Sequence, residues 1–183
     1  MSSGRVPAAA RNNAAALLSG IATSGICAEI PVVSHLYEAE RVPLVLFAGH
    51  RYGAGSARDW AAKGTRLLGV RVVVAASFER IHRSNLVALG VVPLLLPKGA
   101  NPIELGLAAD TSIDIRGLAE ASAPDGEVDV VLKKNDGTTA VIRARLALAS
   151  PFELNMLRSG GVMGLLCGQS QPAQPSIETS PCG

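Results

Sequence analysis

Between residues 43 and 96 the chain alternates continuous apolar runs with segments of helical character. Three apolar runs are typical of strands that are buried on both faces: 43–48, 70–76 and 91–96. The first is followed by a loop and by a short helix that is predicted from Arg58 to Lys63, with its end near Gly64. The second is followed by apolar residues at near-helical spacing from Phe78 to Leu89, which stop at Gly90. Two successive βαβ units, and hence a parallel sheet, are predicted.

After Lys98 the pattern changes to alternating apolar and polar positions, which is typical of antiparallel strands with one solvated face. The alternating segments are Ser112–Arg116, Glu127–Leu132 and Thr139–Leu148. Asn135-Asp136-Gly137 is a tight-turn signal before the last of them. Ser150-Pro151-Phe152-Glu153 has the pattern of a capping box, so a helix is predicted to run to Arg158 and to stop at Gly160-Gly161. The fold class is therefore α/β, with a mainly parallel sheet flanked by helices and an antiparallel C-terminal portion.

Composition narrows the function classes. The chain has 183 residues, which suits one domain, and 48% of them are hydrophobic, which excludes a wholly disordered chain. Only 17% are charged, against a norm of about 25%, so part of the surface is expected to be covered by a partner. A net charge of +2 with no run of five like charges does not favour nucleic-acid binding. No apolar stretch approaches the roughly 18–20 residues that cross a bilayer.

The three cysteines are far apart along the chain, at Cys27, Cys167 and Cys182. This spacing indicates neither a disulfide framework nor a metal site, and a reducing compartment, the cytoplasm, is predicted. Residues 1–28 contain Arg5 and Arg11 and no acid, which leaves a targeting peptide as a minor alternative. The Gln/Pro/Ser-rich tail 168–183 is expected to be disordered.

Candidate chemistry lies in residues 49–60, between a predicted strand and a predicted helix. Ligands bind at such junctions because the N–H groups of a helix start favour an anion. Gly53 and Gly55 are expected to adopt positive φ and to let the backbone approach a ligand. Ser56 and Asp59 have capping-box spacing, which leaves Arg58 able to bind a carboxylate with two N–H groups. A purely structural alternative remains, in which Ser56 only caps the helix and Arg58 is a solvated side chain.

A nucleotide site is the nearest rival interpretation. Residues 53–58 match the first two glycines of the G-x-G-x-x-G fingerprint, and Glu79 follows the next strand as a possible ribose-binding acid. The third glycine position is occupied by Arg58, whose bulk would obstruct the close packing of helix and strand. Nucleotide binding is therefore disfavoured.

Long specific runs identify a family resemblance. Residues 48–64 (AGHRYGAGSARDWAAKG), 77–86 (SFERIHRSNL) and 90–94 (GVVPL) strongly resemble the C-terminal swivel domain of aconitases. The likeness covers about residues 36–165 and includes the late helix 152–161 with its paired glycines. It implies a swivelling β/β/α domain over residues 31–167, preceded by a poorly matched segment, 1–30. The family, with its iron-regulatory and 2-methylcitrate dehydratase branches, includes lyases of the tricarboxylic acid cycle that interconvert hydroxy tricarboxylates at a 4Fe-4S cluster.

The resemblance also assigns roles to residues. Ser56 matches the serine whose alkoxide removes the proton next to a carboxylate, and Arg58 matches an arginine that binds a substrate carboxylate. Gly55 and Ala57 belong to the same substrate-binding segment. Ala57 stands where the family usually has a second serine, so a hydroxyl is missing while the backbone amide remains.

The family's cluster cysteines belong to other domains, and the cysteines of this chain lack their spacing. The resemblance therefore predicts no metal on this chain, a cluster on a partner or on further domains, and negligible activity of the chain alone. The expected partners are a tricarboxylate and the cluster-bearing domains. The alternative is a non-catalytic truncated or regulatory domain that binds a partner or RNA.

Four other residues near the motif are given structural roles. His82 is interpreted as a packing or hydrogen-bonding residue in its helix. His50 and Arg51 are interpreted as solvated loop charges. Trp60 is expected to be buried against the neighbouring strand.

Overall fold

The computed structural model describes residues 42–100, 111–134 and 136–168, the strand segments 6–10, 20–21 and 27–28, and the single positions 34, 37, 105 and 107. The strands are β1 (Val6–Ala10), β2 (Gly20–Ile21), β3 (Cys27–Ala28), β4 (Leu44–Ala48), β5 (Val70–Ala75), β6 (Val92–Leu95), β7 (Ser112–Arg116), β8 (Glu127–Lys133) and β9 (Thr139–Leu146). The helices are α1 (Arg58–Leu67), α2 (Arg80–Ala88), α3 (Pro151–Arg158) and α4 (Val162–Leu166).

Seven strands form one sheet that closes on itself in the order β1-β4-β5-β6-β9-β8-β7. The pairs β1–β4, β4–β5 and β5–β6 are parallel, and β6–β9, β9–β8, β8–β7 and β7–β1 are antiparallel. The predicted parallel sheet with an antiparallel C-terminal portion is confirmed. The closure of the sheet through β1 was not predicted from the pattern of apolar and polar residues. The short pair β2–β3 is separate from this sheet.

The continuous apolar runs are explained by burial on both faces. In β4, Val45 and Phe47 point into the core enclosed by the sheet. Leu46 points the other way, into a second cluster under the helices with Ala62 of α1 and Leu86 of α2. Full burial of one such aliphatic or aromatic side chain stabilises the fold by about 1.5–3 kcal/mol. A strand with apolar residues at every position is therefore favoured here.

Helix α1 runs past Gly64 to Leu67, so the prediction that it ends near Gly64 is wrong. The left-handed residue that ends the helix is Gly69, with φ +78°, and its N–H donates to the Arg66 carbonyl at 3.2 Å. A Cβ at Gly64 would meet no atom within 4 Å, so this glycine marks an open side of the helix and not its end. Gly90, with φ +73°, follows α2 as predicted.

Helix α3 begins as its sequence predicts. Ser150 is the N-cap residue, its side chain accepts a hydrogen bond from the Glu153 N–H at 3.3 Å, and Pro151 is the first helical residue. Gly160 and Gly161 follow the helix with positive φ. The predicted tight turn lies between β8 and β9, where the Gly137 N–H donates to the Lys134 carbonyl at 3.1 Å.

The turn after α3 lies unusually close to the end of α2. A Cβ built on Gly90 would lie 2.5 Å from the Gly160 carbonyl oxygen, and one built on Gly161 would lie 2.7 Å from the Ala88 carbonyl oxygen. Real Cβ atoms do not approach backbone atoms this closely. Two glycines, Gly90 and Gly161, therefore allow direct backbone contact between the two segments.

Two predictions concern segments with little or no described structure. The predicted disordered tail lies outside the described residues from position 169 onward, and the candidate targeting segment is described only at the three short strands β1–β3. Within the described part of the chain, no helix is long and apolar enough to span a membrane.

Candidate active site

Two neighbouring loops form the candidate site. Residues 49–57 leave the carboxyl end of β4, and residues 76–79 leave the carboxyl end of β5, its parallel neighbour. The loops are joined through Tyr52, whose N–H donates to the Ser77 carbonyl and whose carbonyl accepts from the Glu79 N–H, both at 2.9 Å. The Arg51 N–H also donates to the Ser77 hydroxyl at 2.8 Å. The backbone of the first loop is thus fixed by the second.

The first loop turns sharply after Arg51. Arg51 has φ +53° and Gly53 has φ +86°, and the Ala54 N–H donates to the Arg51 carbonyl at 3.2 Å. A Cβ on Gly53 would lie 2.1 Å from Cγ of His82, so the position requires glycine on two grounds. Gly55 has no positive φ, so that part of the prediction is wrong. A Cβ there would meet nothing within 4 Å, which leaves open space beside the loop.

Helix α1 starts without a side-chain cap. Its N-cap residue is Ala57, and no side chain accepts a hydrogen bond from the first turn. Ser56 is exposed and lies directly before the N-cap. The predicted capping box is therefore wrong, because Asp59 instead pairs with Lys63 at 2.8 Å on the exposed surface. The Ser56 hydroxyl is not used as a cap, and the N–H groups at the start of α1 retain the capacity to bind an anion.

The Arg58 side chain is held at two of its nitrogens. Nε donates to the Gly55 carbonyl at 3.3 Å, and Nη1 lies 3.3 Å from Oε1 of Glu79. Among the residues that the structure describes, none contacts Nη2. Arg58 is 32% exposed at its side chain and is therefore not the fully solvated residue of the structural alternative.

Glu79, which the disfavoured nucleotide interpretation considered as a ribose-binding acid, has a structural role at the start of α2. It is the N-cap of α2, where Oε2 accepts hydrogen bonds from the N–H groups of Ile81 at 2.9 Å and His82 at 3.1 Å. The hydrogen bond from His82 chiefly, and the Arg58 charge in addition, hold the pKa of the Glu79 carboxyl below its usual value. These contacts occupy the carboxylate that a ribose would need. Because the predicted helical segment began at Phe78, before Glu79, the sequence pattern did not identify this cap.

His82 packs beneath the first loop, as predicted. It is 1% exposed, and its Nδ1 lies 3.0 Å from the Arg58 carbonyl oxygen. Burial lowers the pKa of the imidazole, so the neutral ring is favoured. Because a carbonyl only accepts, Nδ1 carries the proton and donates.

His50 and Arg51 are exposed at the rim of the loop, as predicted. Trp60 is 75% exposed, so its predicted burial is wrong. The buried side of α1 is marked by Ala62, two positions later, which is about 200° around a helix of 3.6 residues per turn. Trp60 therefore faces solvent, with Lys63 Nζ 5.1 Å from the centre of its ring.

Among the described residues, no three His, Cys, Asp or Glu side chains lie together in a way that could hold a metal ion. Cys167 is exposed and makes no disulfide. Cys182 lies outside the described residues, and Cys27 is described only as part of β3.

Comparisons with known proteins agree on one family. Residues 18–99 match the family described as the aconitase C-terminal domain. The chain is 46% identical over 127 residues to aconitate hydratase A of Escherichia coli and to that of Rickettsia felis. It is 47% identical over 131 residues to aconitate hydratase A of Thermus thermophilus. These matches cover 69–72% of this chain and 14% of each relative, so the chain spans a small part of their length.

A solved structure shares the fold. The crystal structure of 3-isopropylmalate dehydratase from Methanocaldococcus jannaschii superposes with a TM-score of 0.52 and 21% sequence identity. The match covers 77% of this chain and 78% of the other. The two chains therefore share the overall α/β fold.

Proposed function

Since residues 18–99 of this chain belong to the aconitase C-terminal domain family, we propose that the chain is the swivel domain of an aconitase-type hydro-lyase. It supplies Ser56 as general base and Arg58 as a carboxylate ligand in the dehydration and hydration of a tricarboxylate such as citrate or 2-methylcitrate. The observation that carries this proposal is the Gly55–Arg58 segment, which joins a parallel strand to the uncapped start of α1. The unpaired N–H groups at the start of a helix bind anionic ligands.

Ser56 is suited to accept a proton because its hydroxyl is exposed and is not committed to capping α1. A serine hydroxyl becomes a base only when its alkoxide is stabilised. The positive end of α1 and the Arg58 guanidinium both favour negative charge at this position. In the proposed step, the Ser56 oxygen takes the proton from the carbon next to a carboxylate. The electron pair of that C–H bond forms the double bond as the hydroxyl leaves the neighbouring carbon.

Arg58 is suited to hold the substrate because its guanidinium is already oriented. Nε and Nη1 are engaged within the chain, and Nη2 has no partner among the described residues. A planar guanidinium with unpaired N–H groups binds carboxylates strongly and directionally. The bound carboxylate would be placed beside Ser56, two residues earlier along the same loop.

Gly55 and Ala57 contribute backbone to the same segment. The open space at Gly55 allows a ligand to approach the main chain. Ala57 provides a backbone N–H at the start of α1. It provides no hydroxyl, although the resemblance leads one to expect a second serine at this position. Substrate affinity or substrate choice is therefore proposed to differ from that of relatives with serine at this position.

A 4Fe-4S cluster, where bound, supplies the Lewis acid that activates a leaving hydroxyl. The described residues provide no ligand set that fits such a group, and we assign none to them. The departure of the hydroxyl is therefore assigned to a cluster-bearing partner or to further domains. The part assigned to this chain is the transfer of the proton and the binding of the carboxylate.

Complementation tests this function. The chain is mixed with a cluster-bearing portion of Escherichia coli aconitate hydratase A from which the region matching this chain has been removed, and formation of aconitate from citrate is followed. We expect activity that is restored by the wild-type chain. Ser56→Ala should lower kcat by about 10²–10⁴-fold, the usual loss when a general base is removed, with little effect on KM.

Ser122→Ala is the matched control, because Ser122 is also exposed but lies between β7 and β8, away from the two loops. It should retain wild-type activity. If the wild-type chain assembles with the cluster-bearing portion and restores no turnover, or if Ser56→Ala is as active as Ser122→Ala, the proposed function is wrong. A non-catalytic role is then the better interpretation.

A further inference from the structure

Glu79 connects the two loops of the site through the two oxygens of one carboxylate. Oε2 accepts hydrogen bonds from the N–H groups of Ile81 and His82, at 2.9 and 3.1 Å. Oε1 lies 3.3 Å from Nη1 of Arg58. The carboxylate is therefore fixed by α2 and at the same time contacts the first residue of α1.

The contact between Glu79 and the Arg58 guanidinium acts together with a second contact to the same guanidinium. The Gly55 carbonyl accepts a hydrogen bond from Nε of Arg58 at 3.3 Å. Since the guanidinium is planar and rigid, holding Nε and Nη1 from two directions defines both its plane and its rotation. Nη2 and the second N–H of Nη1 then point away from these two acceptors. Without Glu79, the Arg58 side chain would keep a single anchor and would sample more rotamers.

We propose that Glu79 is a positioning residue for Arg58, and that it holds the guanidinium with Nη2 presented to the ligand carboxylate. This inference rests on the proposed function insofar as it names that ligand. The cap on α2 gives the carboxylate its own fixed position, since two backbone N–H groups hold Oε2. A rigid acceptor can in turn orient an arginine, and a pre-oriented arginine loses less side-chain freedom when the ligand binds.

A negative charge beside a residue that binds anions has a cost, because it offsets part of the attraction between Arg58 and the substrate. The lowered pKa of Glu79, to which the Arg58 charge contributes after the His82 hydrogen bond, indicates that the carboxylate is ionised at neutral pH. At these partly exposed positions the attraction between exposed charges is weak and is screened by salt. Orientation is therefore the larger contribution of Glu79 to binding.

Glu79→Asp separates capping from positioning. Aspartate is among the best N-cap residues, so α2 should keep its cap, and the net charge is unchanged. The side chain is shorter by a methylene group, so its carboxylate is withdrawn from Arg58. Glu79→Gln is the second variant, which keeps the length and removes the charge. Asp59→Asn is the matched control, because Asp59 also lies in the first turn of α1 and pairs with Lys63 and not with Arg58.

The first measurement needs no ligand. The Nε–H signal of Arg58 in the full chain is assigned by its loss in Arg58→Lys, and its ¹H–¹⁵N heteronuclear NOE reports order of the side chain. We expect the NOE to fall in Glu79→Asp and to remain at the wild-type value in Asp59→Asn. Backbone amide spectra and Tm verify folding. An unchanged NOE in Glu79→Asp overturns the proposal, whether or not Glu79→Gln folds.

The second measurement is binding of cis-aconitate to the same chains, followed by the amide signals of residues 55–58. Glu79→Asp should weaken binding by about three- to tenfold, as expected when one long side chain must be ordered by the ligand. Equal affinity of wild type and Glu79→Asp overturns the proposal. If Arg58→Lys and wild type bind cis-aconitate equally, the proposal that Arg58 binds the ligand carboxylate is wrong. The NOE result then decides separately whether Glu79 orders the Arg58 side chain.

Discussion

At the scale of the residue, Gly53 determines the path of the loop that carries Ser56 and Arg58. It combines φ +86° with a backbone position at which a Cβ would lie 2.1 Å from Cγ of the buried His82 ring. His82 in turn donates to the Arg58 carbonyl at the start of α1. The position of the segment that carries Ser56 and Arg58 thus depends on Gly53, where no side chain can be accommodated.

Gly53→Ala should lower the free energy of unfolding by about 2–4 kcal/mol. The methyl group would clash with the buried His82 ring, and alanine is strained at positive φ. Urea denaturation of the full chain measures the change. Gly55→Ala is the matched control for stability, since its Cβ would meet no atom within 4 Å. Equal losses of stability in the two variants would contradict this account.

The sequence predicted the location of the site but not its internal contacts. The run of glycines between a buried strand and a helix indicated the loop, and Gly53 adopts the predicted φ. The capping box at Ser56 was wrong because the N-cap of α1 is the next residue, Ala57, and the helix begins one residue later than the box requires. The Glu79–Arg58 contact joins residues that are distant along the chain, and only the parallel pairing of β4 and β5 brings them together.

At the scale of the element, α2 and α3 are joined by a partly buried ion pair. Arg83 donates to both carboxylate oxygens of Glu153, Nη1 to Oε2 at 2.6 Å and Nη2 to Oε1 at 2.9 Å. Nη1 also donates to the Ala147 carbonyl at 2.9 Å, and Oε2 accepts from the Ala149 N–H at 2.7 Å. The pair therefore attaches α2 both to α3 and to the segment that leaves β9.

This pair should make stability depend on pH. The hydrogen bond from Arg83 is the largest cause that holds the pKa of Glu153 below its usual value. A carboxyl whose pKa is lowered by folding contributes its full stability at pH values above its unfolded pKa, which is near 4.3–4.5. This contribution is lost as the pH falls through the lower pKa of the folded state. Glu153→Gln should cost roughly 1–3 kcal/mol at pH 7, and the difference from wild type should shrink below pH 4.5. Urea denaturation of both proteins between pH 7 and 3 measures it, and a difference independent of pH would contradict the assignment.

Helix boundaries that have a clear local sequence signal were predicted best. Ser150 begins α3 as the capping box requires, because the cap is a local hydrogen bond encoded within four residues. The end of α1 was placed too early at Gly64, because glycine within an exposed helix has only a modest cost and the chain ends the helix at Gly69. The orientation of α1, and with it the exposure of Trp60, depends on packing of Ala62 against the sheet, which no local pattern specifies.

At the scale of the whole molecule, the closed sheet positions the site, and the helices leave an apolar stripe on the surface. Trp60 and Leu67 of α1 are 75% and 79% exposed and are seven residues apart, which places them on one helix face. The face begins in the same turn as Arg58. Under the proposed function, the cluster-bearing partner is expected to cover this face, because Arg58 begins the same helix.

Trp60 provides a probe of that arrangement, since it is the single tryptophan of the chain. With 5-fluorotryptophan incorporated into this chain alone, its ¹⁹F signal should show strong solvent exposure in the isolated protein. On mixing with the cluster-bearing portion of aconitate hydratase A, the signal should shift and lose its sensitivity to the exchange of H₂O for D₂O. Restored activity with an unchanged signal would contradict the placement of α1 at the interface.

The contact between the end of α2 and the turn after α3 limits how the chain can change over evolutionary time. At Gly90 and Gly161 a methyl group would fall on a main-chain carbonyl of the opposite segment. An oversized side chain in a core can be accommodated when a neighbouring residue is replaced by a smaller one. No substitution makes a peptide unit smaller. Second-site suppressors of a substitution at either glycine should therefore be very rare, and the two segments are expected to be inherited as one invariant unit.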